Sequence, residues 1–149
     1  MVLTTAALTA GCPYAPPART SGPAEAAGVQ MAIVGQYCDD YDETDYQGFE
    51  AVEIRMRIAV TNHSNERIAF DPDRVRLIAP DGVRPSPVGA DNASYVAPGE
   101  TKVAMVRFMN RGSLKCKEEM KLDPADSLVA GAKSMPLRPI AFVAELERR

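Results

Sequence analysis

The chain has 149 residues, of which 46% are hydrophobic and 25% are charged, and it carries a formal net charge of −3 and three cysteines. That length suits one domain with its own hydrophobic core. Seventeen basic residues against twenty acidic ones exclude the electropositive surface of a general nucleic-acid binder. The sequence has no apolar run of about 18 residues or more, which excludes a membrane-spanning helix. The odd number of cysteines needs an explanation, because a secreted protein that forms disulfides normally pairs them.

The first eleven residues are uncharged and small or apolar, and Cys12 follows them. This pattern is typical of the apolar core of a secretory signal, although the basic residues that usually precede such a core are missing. Residues 8–12, LTAGC, resemble the lipobox of bacterial lipoproteins, in which a lipidated cysteine becomes the mature N-terminus. The resemblance implies that acyl chains on Cys12 anchor the protein, and Pro13 after it favours the outer membrane. A plain cleaved signal and an incidental cysteine are the alternatives.

Residues 12–28 are rich in proline, alanine, serine and glycine. The prolines exclude a regular helix, and the small residues cannot build a core. We therefore predict three parts of the chain: a lipoprotein signal segment at residues 1–11, a disordered, semi-extended tether at 12–28 and a folded domain at 29–149.

From residue 29 onward the dominant hydrophobic period is two, which is typical of half-buried strands. The clearest example is residues 50–61, whose apolar face carries Val52, Ile54, Met56, Ile58 and Val60. We predict further strands at 28–37, 67–70, 75–79, 101–109 and 140–146, a loop at 89–95 and the start of a helical turn at 117–122. Short strands separated by turn residues predict an all-β fold, an immunoglobulin-like antiparallel β-sandwich of about seven strands.

The order of the turn motifs carries a family resemblance. The motifs are a long strand ending at Asn62, a short strand ending at Asp71-Pro72, an Asp81-Gly82 hairpin, the turn Pro98-Gly99-Glu100 and a strand closed by Phe108. This order is similar to that of the uncharacterised immunoglobulin-like domains found in many bacterial lipoproteins, and the similarity covers about residues 29–108. That family has no established catalytic residues, so the resemblance transfers no catalytic role to this chain.

One segment between the first two long strands is strongly acidic. Its six acidic residues are Asp39, Asp40, Asp42, Glu43, Asp45 and Glu50, and without them 14 acids stand against 17 bases. Calcium takes several carboxylate oxygens, but an EF-hand register fails because its twelfth position is Ala51. A looser calcium site, a contact with a basic partner and a solvated loop are the alternatives. Tyr37, Tyr41 and Tyr46 accompany the acids, and we predict that they form a contact patch or cap the end of the domain.

The two cysteines that remain after Cys12 are predicted to pair. Cys38 lies at the end of the first strand and Cys116 lies after the strand at 101–109. A lipidated protein folds outside the cytoplasm, where a disulfide persists. Two reduced thiols, a redox role or a metal role are the alternatives, although neither cysteine belongs to a Cys-x-x-Cys motif.

The remaining chemistry-bearing residues favour structural roles. His63 is the chain's one histidine and lies in a turn without a local nucleophile or acid, so we expect a surface side chain and no catalytic triad. Methionine sulfur suits Cu(I), but strand positions favour core filling. The six methionines concerned are Met31, Met56, Met105, Met109, Met120 and Met135. Residues 62–64 and 92–94 match the glycosylation pattern, which a bacterial lipoprotein would not ordinarily use.

Together these observations predict a membrane-anchored extracytoplasmic lipoprotein of the bacterial cell envelope. It would act as a binding or structural module for another envelope component, without enzymatic activity, cofactor or nucleic-acid partner. The alternative is a metal-binding envelope protein that uses calcium at residues 39–50 or copper through the methionines.

Overall fold

The structure, a computed structural model, describes residues 15–17, 19–41 and 51–145. Over these residues the chain forms thirteen β-strands and one short 3-10 helix at Pro72–Arg74, and all of the strand pairings between them are antiparallel. The predicted all-β class is confirmed, but the described residues form more strands than the seven expected, and several of the additional ones have only two or three residues. They are β1 Arg19–Thr20, β2 Ala24–Ala26, β3 Val29–Tyr41, β4 Ala51–Asn62, β5 Ile68–Phe70, β6 Arg76–Ile78, β7 Gly89–Ala90, β8 Ser94–Val96, β9 Thr101–Asn110, β10 Glu119–Asp123, β11 Leu128–Ala130, β12 Lys133–Ser134 and β13 Ile140–Val143.

The largest sheet has five strands in the order β2-β3-β4-β9-β7. Its central strand is β4, for which the alternating pattern predicted residues 50–61. Ile54, Met56 and Ile58 are fully buried on one face, whereas Arg55 and Arg57 are exposed on the other. Strands β3 and β9 pair with β4 along most of its length. Because successive side chains of a strand point to opposite faces, the alternating sequence of β4 gives the sheet one apolar face and one polar face. The face that carries the arginines is called the outer face below.

The other strands form two four-stranded sheets, ordered β1-β13-β10-β6 and β12-β11-β5-β8. Two Asp-Pro steps separate these sheets: Asp71-Pro72 lies between β5 and β6, and Asp123-Pro124 lies between β10 and β11. Because β5 pairs with β11 and β6 pairs with β10, the two steps lie side by side. Proline donates no ladder hydrogen bond, so the strands end there. This accounts for several of the extra strands.

All three sheets share one hydrophobic core. Phe70, Phe108 and Phe142 are almost completely buried in it and come from three different sheets. Aromatic side chains of this size supply much of the apolar area that a domain removes from water. The arrangement therefore holds the five-stranded sheet against the two smaller ones.

The predicted disulfide between Cys38 and Cys116 is confirmed. The bond joins residues 78 positions apart, with the Cα atoms 5.8 Å from each other. Cys38 lies on β3 and is fully buried, whereas Cys116 is partly buried in the loop before β10. The bond therefore fixes that loop to the five-stranded sheet.

The tether predicted at residues 12–28 is wrong for the part of it that the structure describes. Residues of β1 pair with β13, residues of β2 pair with β3, and Ala15 forms a bridge to Gln36. Pro16, Pro17 and Pro23 fall between these paired stretches, where no ladder hydrogen bond is needed from them. Proline content therefore excluded a helix correctly but did not exclude short edge strands.

Two other local predictions are corrected. The predicted loop at 89–95 contains β7 and the start of β8, and the predicted helical turn at 117–122 is mostly β10. In β10 the buried Met120 and Leu122 alternate with the exposed Glu119 and Lys121. Burial of alternate residues against the shared core decides the conformation there.

Asn62 joins three turn regions at one end of the five-stranded sheet. Its fully buried side chain donates from Nδ2 to the carbonyl oxygens of Glu66 at 2.6 Å and Val96 at 3.0 Å. Its Oδ1 accepts from the backbone N–H and the hydroxyl of Ser64, and its carbonyl accepts from the Gly99 N–H at 2.7 Å. The motif at residues 62–64 is therefore structural, and the Asn62 amide is not available to a glycan.

Candidate functional site

The structure describes only part of the predicted acidic contact patch. Tyr37, Asp39 and Asp40 lie on β3, and Tyr41 is its last residue. Asp39 is buried and accepts a hydrogen bond from the Tyr37 hydroxyl at 3.0 Å, whereas Asp40 is exposed. The predicted residues outside the described ranges are Cys12, Asp42, Glu43, Asp45, Tyr46 and Glu50.

Beside this part of β3, three aligned side chains cross the outer face of the five-stranded sheet. The strand register places Tyr37 opposite Arg55 and Arg55 opposite Arg107. We call these three residues the arginine row. The Arg55 guanidinium lies 5.7 Å from the centre of the Tyr37 ring, which is the range of a cation–π contact. The row therefore continues as a set of contacts across β3, β4 and β9.

A buried carboxylate holds the two arginines together. The Glu53 side chain is only 1% exposed, and it binds Nε of Arg55 and, at 3.1 Å, Nη2 of Arg107. Two cationic partners offset the cost of removing this carboxylate from water. The arginine side chains themselves are 44% and 41% exposed. Glu53 therefore positions two guanidinium groups that still face solvent.

A shallow groove of about 270 Å³ lies next to the row, at the β7 edge of the sheet. Its lining includes Arg55, Arg107, Asp91 and Met105. Asp91 accepts the Met105 N–H at 2.8 Å, which holds the chain after β7 against β9. Two guanidinium groups and one carboxylate therefore line the groove. Guanidinium forks bind carboxylate or phosphate oxygens in pairs, so the two arginines are its candidate contacts for an anionic group.

A second groove, of about 410 Å³, lies on the sheet formed by β12, β11, β5 and β8. Tyr95, Ala69 and Ser127 are among its lining residues. The Tyr95 ring is stacked with the guanidinium of Arg67 at 3.8 Å, and the buried Oγ of Ser127 has no hydrogen-bond partner among the described residues. Sequence reasoning missed this groove because it assigned Tyr95 to a loop.

Of the acidic residues predicted to bind calcium, the structure describes Asp39 and Asp40, and the methionines predicted as an alternative copper site lie at several places in the fold. No cluster of three or more His, Cys, Asp or Glu side chains suitable for a metal ion occurs within residues 15–17, 19–41 and 51–145. Met31, Met56, Met120 and Met135 are buried in the core, and Met105 and Met109 are half-buried on β9. His63 is exposed.

Sequence reasoning identified Tyr37 and Asp39 but did not identify Glu53, Arg55 and Arg107 as site residues. The alternation placed Glu53 and Arg55 on the polar face of a strand. No local signal shows that Arg107, more than fifty residues later, is their neighbour. The missing information is the register between β4 and β9.

Comparison with known proteins gives a fold but no activity. No family model and no curated protein matches the chain. Among solved structures, the chain is similar to a functionally unknown protein from Listeria monocytogenes EGD-e, with a TM-score of 0.58 and 12% identity. The match covers 87% of this chain and 85% of that one. Within the described residues, no helix is long and apolar enough to cross a membrane.

Proposed function

We propose that the protein is a lipid-anchored extracytoplasmic module that binds or organises another component of the bacterial cell envelope. The observation that carries the proposal is the pairing of Cys38 with Cys116. It uses two of the three cysteines and leaves Cys12, the one that follows the lipobox-like residues 8–11. A structural disulfide also favours an oxidising compartment, where lipoproteins fold.

An immunoglobulin-like sandwich is the fold that we propose for this module. The five-stranded sheet would be one layer. The two four-stranded sheets would together be the other layer, divided at the adjacent Asp71-Pro72 and Asp123-Pro124 steps. Antiparallel pairing throughout the described residues and the single shared core support this interpretation.

The contact surface that we propose is the arginine row with its adjoining groove. The partner would present carboxylate or phosphate groups, because Arg55 and Arg107 face solvent side by side and are held in place by Glu53. Tyr37 adds an aromatic surface at one end of the row. The acidic residues that follow β3 could meet basic groups of the same partner.

The anchor is tested by the cellular fractionation of cysteine variants. We expect the wild-type protein to enter the detergent phase of an extract from its native host. We expect Cys12→Ser to shift it to the aqueous phase, because acyl chains supply about 0.8 kcal/mol for each buried methylene. A matched double variant, C38S/C116S, should still enter the detergent phase. If Cys12→Ser has no effect, Cys12 is not the anchor.

The competing function is metal binding by residues 39–50 or by the methionines. Calorimetry with Ca²⁺ and with Cu(I), on the full chain, separates the two functions. Saturable heat with a rise in melting temperature would replace the binding-module proposal with the metal-binding one. We expect neither effect with Cu(I), because Met31, Met56 and Met120 are buried in the core, and neither with Ca²⁺, because the acidic segment does not follow an EF-hand register.

A further inference from the structure

The chain joins the folded domain very soon after the position of the proposed anchor. The Ala15 N–H donates to the Gln36 carbonyl at 3.3 Å, and the Gln36 N–H donates to the Ala15 carbonyl at 2.7 Å. Four residues later, Arg19 and Thr20 pair with Val143 and Phe142 of β13. The N-terminal segment is thus part of two sheets before residue 29 is reached.

These pairings limit how far the domain can move from Cys12. A trans peptide chain spans at most about 3.3–3.6 Å per residue, so the three steps from Cys12 to Ala15 cover no more than about 11 Å. If the Ala15 bridge opens, the seven steps to Arg19 still cover no more than about 25 Å. The tether of seventeen residues expected from the sequence would have allowed about 56–61 Å. The limit on the reach of the anchor segment is therefore about five times shorter with the bridge closed and about two times shorter with it open.

We propose that the anchored domain lies directly against the bilayer, with the exposed residues Ala15 and Pro16, which cover the edge of β3 at Gln36, facing the lipid headgroups. This inference depends on the proposed lipidation of Cys12. β2 pairs with only the first three residues of β3. Farther along the same edge of β3, Ala15 is the only described residue that forms a backbone bridge. Val34, at an irregularity in the β3–β4 register, has a 46% exposed side chain two residues from Gln36. This exposed position, so close to the Ala15 bridge, is where a reporter of bilayer contact can be placed.

The orientation also defines where the arginine row operates. Tyr37 follows Gln36 directly, and the row then crosses two strand spacings of about 4.8 Å each to reach Arg107. Ala15 adds a third strand spacing on the other side of β3, so with the anchor segment Arg107 lies within roughly 26 Å of the anchored residue. The domain therefore contacts the bilayer surface that holds the anchor, and any further envelope component would bind it close to that surface.

The chain contains no tryptophan, so a single introduced tryptophan reports its own depth without background. The near reporter is Val34→Trp, and Pro16→Trp, exposed and next to Ala15, is a second one. The matched distant control is Tyr95→Trp, at a position that is 53% exposed. Val96, next to Tyr95, accepts a hydrogen bond from Asn62, and Asn62 pairs with Val29. Val29 lies seven residues, or about 23 Å, along β3 from Gln36, so the control position is far from the Ala15 bridge.

Each full-length lipidated variant is purified from its native membrane and reconstituted into phosphatidylethanolamine–phosphatidylglycerol vesicles that contain lipids with a headgroup quencher. We expect severalfold stronger quenching at residues 34 and 16 than at residue 95. Insertion of a long Gly-Ser spacer between Pro13 and Tyr14 should abolish this difference. An intact Cys38–Cys116 bond and an unchanged melting temperature verify that each variant is folded.

The outcomes separate the inference from the anchor proposal. If the protein floats with the vesicles but the three reporters are quenched equally weakly, the domain stands away from the bilayer and the inference is wrong. If residue 95 is quenched more strongly than residues 34 and 16, the orientation is reversed and the inference is also wrong. If the protein does not float with the vesicles and carries no acyl group, the anchor proposal itself has failed.

Discussion

Removal of the Cys38–Cys116 bond should strongly destabilise the domain. The bond closes a loop over a separation of 78 residues, and the loop-closure entropy of the unfolded chain corresponds to about 4.5 kcal/mol at 25 °C. A chain of 149 residues unfolds with an entropy of about 0.31 kcal/mol/K, so the melting temperature should fall by about 14 °C. This magnitude is an upper value, because a compact unfolded chain loses less freedom when it is cross-linked.

The assay is urea and thermal unfolding of the oxidised protein, the C38A/C116A variant and a Cys12→Ala control. The control should unfold like the oxidised protein, because Cys12 takes no part in the bond. Mapping under non-reducing conditions should recover the peptides of Cys38 and Cys116 linked to each other. A loss below about 1 kcal/mol, or about 3 °C, would refute the reasoning, because the loop would then not constrain the unfolded chain.

Three further predictions concern single polar side chains. Asn62→Ala should lower the free energy of unfolding in urea by about 2–4 kcal/mol, because it removes four hydrogen bonds in a buried site. The control Asn92→Ala, at an exposed position, should leave the free energy of unfolding unchanged. Equal effects of the two substitutions would contradict the role of Asn62. The N–H of Val83 and the hydroxyl of Ser113 hold the pKa of Asp81 below its ordinary value of 3.8. The stabilisation by this carboxylate is therefore complete above pH 3.8 and is lost as the pH falls through the lowered pKa. The difference in unfolding free energy between the wild-type protein and Asp81→Asn should therefore shrink in acid. A difference that does not change with pH would contradict this. Ser127→Ala should leave the free energy of unfolding unchanged or raise it by up to about 1 kcal/mol in the same urea assay, because it removes a buried hydroxyl that has no hydrogen-bond partner among the described residues. A clear loss of stability would contradict this and show that the hydroxyl does form a hydrogen bond.

The long strands could be predicted from the sequence because their signal is local. The alternation through residues 50–61 placed β4 within a residue at each end, since each apolar side chain reports the face on which it lies. The two-residue strands β1 and β7 carry no such period. They exist because β13 and β9 offer backbone groups to pair with, and that information is distant in the chain.

The division of the smaller sheets was also beyond local reasoning. The sequence indicates a strand end at Asp71-Pro72, whereas Asp123-Pro124 follows the segment for which a helical turn was predicted. Their effect on the sheet depends on their position beside each other, which follows from the pairing of β5 with β11 and β6 with β10. Each Asp-Pro sequence ends a strand locally. The boundary between the two sheets forms only because these two sequences, about fifty residues apart in the chain, lie next to each other in the fold.

The candidate site follows the same rule. Tyr37 and Asp39 drew attention because they lie beside an unusual concentration of acids. Glu53 looked like an ordinary polar-face residue of β4, and its burial depends on arginines from its own strand and from β9. A buried carboxylate between two guanidinium groups has no signature in one strand alone, so register was required to recognise it.

The central claim is that Cys12 carries the lipid anchor and that the other two cysteines are paired. Intact-mass measurement of the protein purified from its native membrane tests both parts directly. The account predicts the mass of residues 12–149 plus acyl groups, with two hydrogens fewer than the reduced chain. A chain that keeps Met1, carries no acyl group and has three free thiols would contradict it.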